Sequence, residues 1–383
     1  MIPAVAPDNQ AAVLVSLDLG GAAPEDAAEE LLRLAESAGI RRHAEVRGRR
    51  QRPDPKFFVG SGKVEEISRA AQDLNAATVI FNHALSPAQQ RNLEQALERE
   101  VLDRTELILT IFAQRAQTHE GKLQVELARL QHLSTRLVRG WTHLERQRGG
   151  LGKTGGPGEK QIELDRRMIA DRVRMLKGKL EQFRDRRAVQ RRARARGDVL
   201  SVSLVGYTNA GKSTLFNALA HAKAREADQL FATLDTTTRR VWLPAAGTVV
   251  ISDTVGFIRD LPHGLVAAFR ATLEETVRAD LLLHVVDSAS PAREEQAEAV
   301  NRVLAEIAAG DAPRVLVWNK IDAVGTGKEL SPGVERDQYG RISRVFVSAR
   351  TGAGLQQLRS AIAEFAQARA ARRGAVALPV HTH

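Results

Sequence analysis

A nine-residue loop constrains the fold of this chain more than any other feature. Residues 206–214 read Gly-Tyr-Thr-Asn-Ala-Gly-Lys-Ser-Thr, directly after the apolar run 199–205 and before the helix-like segment 215–219. Glycines let such a loop bend so tightly that its backbone N–H groups point at phosphate, and the helix N-terminus adds a positive dipole. Lys212 would supply a cation and Ser213 a ligand for Mg²⁺. The loop therefore predicts a nucleoside triphosphate site in an α/β domain.

Composition limits the classes of protein that fit. The chain has 383 residues, enough for two or three domains, and a formal net charge of +10. The positive charge favours an acidic partner, nucleic acid first and an anionic membrane surface second, although a soluble protein with a basic surface is the plain alternative. The absence of cysteine excludes disulfides and thiolate metal sites. Because no run approaches 18 apolar residues, we expect no membrane span. The absence of cysteine and of a signal segment fits a cytoplasmic protein, which we expect to be monomeric in its free form.

Hydrophobic periodicity divides the chain into four parts. From 11 to 117, apolar strands alternate with amphipathic helices, which is typical of a small parallel α/β domain. From 118 to 196, apolar residues recur at steps of three and four on both sides of the glycine-rich segment 149–158, which predicts an antiparallel helical hairpin with a flexible tip. The part 197–372 carries the phosphate loop and is predicted to be doubly wound around a mainly parallel sheet. A short tail, 373–383, follows.

The second helix of the predicted hairpin ends in a run of arginines. A charge run is most often a solvated helix face, but so many guanidinium groups repel one another unless phosphates lie nearby. The sequence leaves these two interpretations equally open. In the second, the contacts to RNA come from Arg184, Arg186, Arg187, Arg191, Arg192, Arg194 and Arg196, with Lys153 in the glycine-rich tip.

Two motifs that could contact the γ-phosphate or its Mg²⁺ follow the phosphate loop. The threonine-rich loop 231–238 could bring a hydroxyl group to Mg²⁺ and the γ-phosphate. The apolar strand 249–252 leads into Asp-Thr-Val-Gly, where Asp253 would hold Mg²⁺ through water and the amide of Gly256 would sense the γ-phosphate. Each motif is common alone, and their order after a phosphate loop is what makes them specific.

Two further motifs select the base. In Asn319-Lys320-Ile321-Asp322 the Asp322 carboxylate can accept both the ring N–H and the exocyclic amine of guanine, whereas adenine lacks this donor pair and would leave the charge unpaired. Ser348-Ala349-Arg350 is positioned to give a backbone contact to the base. Together the motifs predict GTP. The predicted nucleotide contacts are Gly206, Tyr207, Thr208, Asn209, Ala210, Gly211, Lys212, Ser213, Thr214, Phe231, Ala232, Thr233, Asp253, Gly256, Asn319, Lys320, Asp322, Ser348, Ala349 and Arg350.

Segments outside the nucleotide motifs resemble those of the HflX family of ribosome-associated GTPases. They are Leu85–Glu94, Val101–Thr105, Leu123–Ala128 and Gly155–Arg167, so the resemblance covers nearly the whole chain. It implies a GTPase that binds the large ribosomal subunit and its RNA and splits or rescues stalled ribosomes under stress.

The same resemblance assigns a role within the threonine-rich loop. It implies that Thr237 is the switch threonine and joins Ser213 as a ligand of Mg²⁺. Family members usually carry proline where this chain has Thr236, so the loop is expected to be less rigid before GTP binds. Use of ATP through the N-terminal region is also known in the family, but the N-terminal part of this sequence shows no second phosphate loop.

The hydrolytic apparatus departs from that of many GTPases. A glutamine directly after the DxxG glycine often orients the attacking water, whereas Phe257 neither donates nor accepts a hydrogen bond. Lys212, Asn209 and Thr237 are the candidates for stabilising the transferred phosphoryl group. Asparagine at position 209 resembles GTPases in which K⁺ sits beside the β- and γ-phosphates, and a turn-capping role is the equal alternative. The chain is thus either an enzyme reset by hydrolysis or a GTP-gated RNA-binding chaperone in which hydrolysis is incidental.

Overall fold

The computed structural model describes most of the chain, and the described residues form two compact units. One unit comprises residues 1–183 with Pro262–Ala268, and the other comprises residues 184–261 with 269–383. The domain boundaries that we expect from the sequence at 117, 196 and 372 stay predictions. The described residues are 11–20, 24–139, 157–196, 199–220, 230–324 and 330–376.

A four-stranded parallel sheet forms the first part of the first unit. Its strand order is β2-β1-β3-β4, so each new strand is added by a crossover that needs a helix. Val13, Val15 and Val79 in the central strands are fully buried, as expected for strands covered on both faces. The elements are β1 Ala11–Asp18, α1 Pro24–Ser37, β2 Arg42–Arg49, α2 Ser61–Leu74, β3 Thr78–Phe81, α3 Pro87–Leu97, β4 Glu100–Leu102 and α4 Arg104–Arg115. The predicted small parallel α/β domain is confirmed.

Two long helices follow, α5 His119–Arg139 and α6 Pro157–Arg196. Leu123 and Leu127 of α5 pack against Leu176 and Leu180 of α6, because leucines spaced three or four apart share one face of each helix. The glycine-rich tip lies outside the described residues up to 156, and so does Lys153.

A seven-stranded sheet forms the core of the second unit, in the order β10-β11-β9-β8-β5-β7-β6. Pairing is parallel except for β10 with β11 and β6 with β7 at the two edges. The predicted mainly parallel α/β fold is therefore confirmed. The elements are β5 Leu200–Gly206, α7 Lys212–Ala220, β6 Thr237–Leu243, β7 Gly247–Asp253, α8 His263–Ala268, α9 Arg270–Val277, β8 Leu281–Asp287, α10 Arg293–Glu306, β9 Arg314–Asn319, β10 Gly333–Arg336, β11 Ile342–Phe346 and α11 Leu355–Val376, of which α8 belongs to the first unit.

The sheet order explains where the sequence motifs meet. Strands β5, β7, β9 and β11 run in the same direction, so their carboxyl ends lie at one edge of the sheet. Each of the four nucleotide motifs that begins at a strand end is therefore delivered to that edge. In the part of the chain that the structure describes, no helix has the length and apolarity needed to cross a membrane.

Candidate functional site

The phosphate loop joins β5 to α7 with almost no free space around its glycines. Gly206 has a φ of 154°, and a Cβ atom there would lie 2.3 Å from the carbonyl oxygen of Val285. Gly211 has a φ of 88°, and a Cβ atom would lie 2.3 Å from the amide nitrogen of Asn319. Both positions combine a backbone conformation that other residues avoid with a neighbour too close for a side chain, so glycine is required at each.

Asn319 holds together the phosphate loop and the segment that the sequence predicts to bind the base. Its side-chain Nδ2 donates to the carbonyl oxygen of Ala210 over 2.9 Å, and its Oδ1 accepts from the backbone N–H of Ala349 over 2.9 Å. Asn319 is only 1% exposed, so both hydrogen bonds are shielded from water. The amide therefore acts as a bridge between residues more than a hundred positions apart.

Lys212 is buried and its ammonium group is turned back on the loop. The Nζ atom donates to the carbonyl oxygens of Gly206 and Tyr207 over 3.1 and 2.8 Å. The pKa of Lys212 is lowered to about 8, chiefly by burial; the carboxylate of Asp253 opposes this shift and the charge of Lys320 adds to it. A phosphate group would supply the negative charge that this ammonium group lacks.

Asp253, Ser213 and Thr233 form a cluster of oxygen atoms at the start of α7. The Asp253 Oδ2 accepts from the hydroxyl groups of Ser213 and Thr233 over 2.7 and 2.9 Å, and the two hydroxyl oxygens lie 2.8 Å apart. Burial raises the pKa of Asp253 despite these hydrogen bonds. Its Oδ1 is buried and has no hydrogen-bond partner among the described residues. An unpartnered carboxylate oxygen beside two hydroxyl groups suits Mg²⁺, which prefers oxygen ligands.

Thr237 and Thr233 lie in different elements: Thr237 is on strand β6, and Thr233 is in the loop before that strand. Thr237 is the first residue of β6 and pairs with Asp253 through the antiparallel ladder of β6 and β7. The hydroxyl group at the Ser213–Asp253 pair belongs to Thr233, which the sequence predicts as a nucleotide contact only. Four threonines at 233, 236, 237 and 238 look equivalent in the sequence, and only the distances distinguish them. The metal role of Thr237 stays a prediction.

Phe257 is a core residue and not part of the cleft. Its side chain is fully buried, while its backbone N–H donates to the Gly206 carbonyl over 3.1 Å and its carbonyl accepts from Thr208 N–H over 2.7 Å. At the preceding Gly256, a Cβ atom would come within 3.0 Å of Lys212 Nζ. Main-chain pairing thus links the DxxG motif to the phosphate loop, and the aromatic ring packs into the interior.

The residues predicted to bind the base lie at the ends of β9 and β11. Asp322 is exposed in a short 3₁₀ turn, Ile321–Ala323, so its carboxylate is accessible to a base. Lys320 has a φ of 64° and its Nζ donates to Asp287 Oδ2 over 2.7 Å. Asp287 was not predicted from the sequence, because it lies 33 residues before Lys320, at the end of β8. Ser348 is buried and Arg350 is exposed, on either side of the Ala349 amide that Asn319 holds.

The predicted phosphate contacts meet in a small cleft. Asn209 adopts a left-handed conformation with a φ of 59°, which asparagine tolerates better than most residues. Thr254, which the sequence analysis missed, also lines the cleft. The other lining residues were predicted, and they are Thr208, Asn209, Gly211, Lys212, Ser213, Thr214, Phe231, Ala232, Thr233 and Gly256.

The arginine run lies on the last turns of α6. Arg184 and Arg186 are exposed and Arg187 is half-buried. The Arg184 Nε lies 3.8 Å from Glu274 Oε2, a weak contact that leaves the guanidinium group accessible. The side chains of Arg191, Arg192, Arg194 and Arg196 lie outside the described residues, so their contacts to RNA stay predictions.

Comparison with known proteins agrees with this arrangement. Three protein-family models match successive parts of the chain: GTP-binding GTPase N-terminal over residues 25–113, GTP-binding GTPase Middle Region over 115–194, and 50S ribosome-binding GTPase over 201–320. The crystal structure of the SsGBP and GDP complex is 25% identical in sequence with a TM-score of 0.50, covering 93% of this chain and 98% of that one. The fold and the site define a GTP-hydrolysing enzyme with a phosphate loop.

Similar proteins whose family is known identify the family within this class of enzymes. GTPase HflX of Escherichia coli is 55% identical over 336 residues, which are 88% of this chain and 78% of that protein. GTPase HflX of Magnetococcus marinus is 50% identical over 352 residues, 92% of this chain and 80% of that protein. The chain belongs to the HflX family of GTPases.

Proposed function

We propose that this GTPase binds the large ribosomal subunit and splits or rescues stalled ribosomes under stress. The observation that carries the proposal is the match of residues 201–320 to the 50S ribosome-binding GTPase model, on a chain with a net charge of +10. Positive charge of this size attracts ribosomal RNA over distances of about 10 Å at moderate salt. The N-terminal part and the hairpin reach that RNA, and the protein acts as a cytoplasmic monomer.

GTP binding follows from the contacts of the site residues. Lys212 exchanges the carbonyl oxygens of Gly206 and Tyr207 for phosphate oxygens, which restores charge balance at a buried ammonium group. Asp322 accepts two hydrogen bonds from guanine, and Asn319 keeps the base segment at a fixed distance from the phosphate loop. The same residues hold GDP after cleavage.

The magnesium ligands are Ser213 and one threonine, with Asp253 acting through water. We favour Thr233 for the threonine because its hydroxyl group already contacts both partners, and Thr237 is the alternative that the family resemblance implies. Mg²⁺ held by these residues would offset the negative charge that develops on the phosphate oxygens during cleavage.

Hydrolysis needs a water-positioning group from elsewhere, since the Phe257 side chain is fully buried in the core. Asn209 would hold K⁺ beside the phosphates, where a monovalent cation neutralises developing charge. Steady-state GTP turnover in KCl and in NaCl at equal ionic strength tests this. Equal rates in the two salts, with and without large subunits, would remove the potassium proposal.

The buried Phe257, which cannot position a water molecule, also favours a second function, that of a GTP-gated RNA-binding chaperone. If no partner completes the site, GTP only sets the affinity of an RNA-binding chaperone, and turnover is incidental. Phosphate release separates the two functions. Strong stimulation of release by large subunits supports the enzyme, and GTP-dependent binding without stimulation supports the chaperone.

The splitting step is tested on sucrose gradients. Ribosomes are incubated with the protein and GTP, a non-hydrolysable GTP analogue, or GDP, and free subunits are measured. Splitting with the analogue but not with GDP would show that binding alone performs the mechanical step and that hydrolysis resets the protein. Unchanged ribosomes in all three mixtures, at concentrations where the protein sediments with large subunits, would reject the splitting function.

A further inference from the structure

A groove rich in arginine opens beside the edge strand of the large sheet. Its volume is about 310 Å³. Three arginines and one glutamate are among its lining residues, so the groove carries an excess of positive charge. We call it the arginine groove, and its lining residues are Arg187, Thr236, Thr238, Arg239, Arg240, Val250 and Glu275.

The charge of the groove is accessible to a ligand. Arg239 and Arg240 are exposed, and within the described ranges neither of them forms an ion pair. Glu275 is buried, at 7% exposure, and is the one carboxylate among the lining residues. The guanidinium group of Arg240 provides several N–H donors that fit the oxygens of phosphate, and the exposed Arg239 adds positive charge at the neighbouring position of the strand.

An exposed indole next to the groove identifies the class of ligand. Trp242 is 67% exposed, and it follows Arg240 by two positions on the same strand. Residues i and i+2 of a strand share one face about 6.6 Å apart, so a guanidinium group and an aromatic ring stand side by side. Cationic grooves lined with accessible aromatic rings suit single-stranded nucleic acid, whose phosphates take the charge and whose bases stack.

The groove also adjoins the nucleotide site through the backbone. Thr233 donates to Asp253 Oδ2 over 2.9 Å, and Thr236, three residues later, lines the groove. Thr238 lines it as well, and its hydroxyl group lies 3.1 Å from that of Ser252, the residue before Asp253. A ligand that fixes Thr236 and Thr238 therefore restricts the loop that carries Thr233.

We propose that the arginine groove binds the phosphate backbone of single-stranded RNA while Trp242 stacks on a base, and that this binding is coupled to GTP through the loop 231–236. This proposal rests on the proposed ribosomal partner, and it identifies the surface that would bind the partner's RNA. Because coupling is reciprocal, RNA in the groove favours the GTP-bound loop by the same factor by which GTP favours RNA.

The test measures binding of a fluorescent, unstructured RNA oligonucleotide and of isolated large subunits as a function of KCl concentration. Arg240→Gln is compared with Arg302→Gln, which removes the same charge from an exposed position on α10. We expect Arg240→Gln to weaken oligonucleotide binding about fivefold and to lower the salt slope by about one, with little change for Arg302→Gln. Trp242→Leu should weaken binding about tenfold without changing the salt slope.

The coupling is tested with the double variant Arg239→Gln/Arg240→Gln. Wild-type protein should bind the oligonucleotide several times more tightly with a GTP analogue than with GDP, and the double variant should lose this ratio while keeping its RNA-free GTP turnover. Equal affinity of wild type in the two nucleotide states would overturn the coupling.

The remaining outcomes separate this inference from the function on which it rests. If the Arg240→Gln and Trp242→Leu variants bind RNA as wild type does while all proteins bind large subunits, the groove is not the site and the ribosomal function stands. If wild-type protein binds no large subunits, the ribosomal function fails and this inference fails with it.

Discussion

Asn319 and Ala210 are joined by a hydrogen bond of 2.9 Å between the side-chain amide of one and the backbone carbonyl of the other. The same side chain accepts from the backbone of Ala349. The segments that we predict to contact the base and the phosphates are thus linked directly through the protein. Sequence-distant motifs are often described as separate contacts to the ligand, but here they also contact one another.

Replacing Asn319 with alanine tests this link. The change leaves the buried Ala349 N–H without a partner, which costs about 1–3 kcal/mol in the free energy of unfolding. We expect a lower melting temperature and at least tenfold weaker binding of both GDP and GTP by calorimetry. Asn301→Ala removes an exposed asparagine of α10 as a matched control. Equal losses in the two variants would contradict the bridging role.

Asp322→Asn should change the preferred base without changing stability, because Asp322 is exposed. Asparagine offers an acceptor and a donor where guanine presents two donors, so GTP affinity should fall at least a hundredfold. XTP, whose base presents an oxygen in place of the exocyclic amine, should bind more tightly than GTP. Unchanged GTP affinity would mean that the base is held by other groups.

The two candidate threonines are separated by Thr233→Val and Thr237→Val, which remove a hydroxyl group at nearly constant volume. If Thr233 is the metal ligand, its variant should need about tenfold more Mg²⁺ for half-maximal turnover, because charge-assisted contacts of this kind are worth about 1.5 kcal/mol or more. The Thr237 variant should then differ less than twofold from wild type. The opposite ranking in a Mg²⁺ titration would restore Thr237 to the role that the family resemblance implies.

Nucleotide binding should depend on pH through Lys212, whose pKa is lowered to about 8 by burial. Phosphate binds the protonated form, so GDP affinity should be flat below pH 7 and fall as pH rises above 8. Binding at pH 8.5 should also take up a proton, seen as a calorimetric enthalpy that varies with the ionisation enthalpy of the buffer. No buffer dependence at pH 8.5, or the same dependence at pH 6.5, would contradict this assignment.

The pKa of Lys212 also has a consequence for the nucleotide-free protein. Between pH 8 and 10.5 the unfolded chain holds a proton on this lysine and the folded chain does not. The contribution of Lys212 to the free energy of unfolding therefore increases with pH across this window.

Phe257→Gln should not create a faster enzyme. The side chain is fully buried, so glutamine would place an unsatisfied amide in the core and lower the melting temperature. Phe257→Leu keeps most of the apolar volume, and its turnover should stay within about twofold of wild type. Faster intrinsic GTP turnover in Phe257→Gln would show that this position can reach the attacking water.

The sequence alone predicted the fold class and which motifs meet at one edge of the large sheet, since apolar strands followed by polar motifs determine which residues lie at the edge of a parallel sheet. The residues taken by themselves could not separate Thr233 from Thr237, because four hydroxyl residues within six positions carry the same chemical signal, and only the family resemblance assigned the metal role to Thr237. The contact of Lys320 with Asp287 depends on which strands are neighbours, and this order has no local signature.

The burial of the Phe257 side chain could not be predicted from the sequence either. The missing glutamine was evident from the sequence, but the burial of the ring follows from packing that only the assembled sheet defines. Arg239, Arg240 and Trp242 gave no signal for a similar reason. Their importance comes from the position of β6 at the edge of the sheet.

The crowding around Gly206 and Gly211 has a kinetic consequence. With neighbouring atoms too close for even one added methyl group, the phosphate loop has little freedom left to lose when a nucleotide arrives. The entropy of ordering is then concentrated in the threonine-rich loop, where four hydroxyl residues and no proline leave the unbound chain more conformations. Rates of nucleotide exchange should accordingly follow the ordering of that loop, so a partner that holds it still would slow release as well as prepare the site for cleavage.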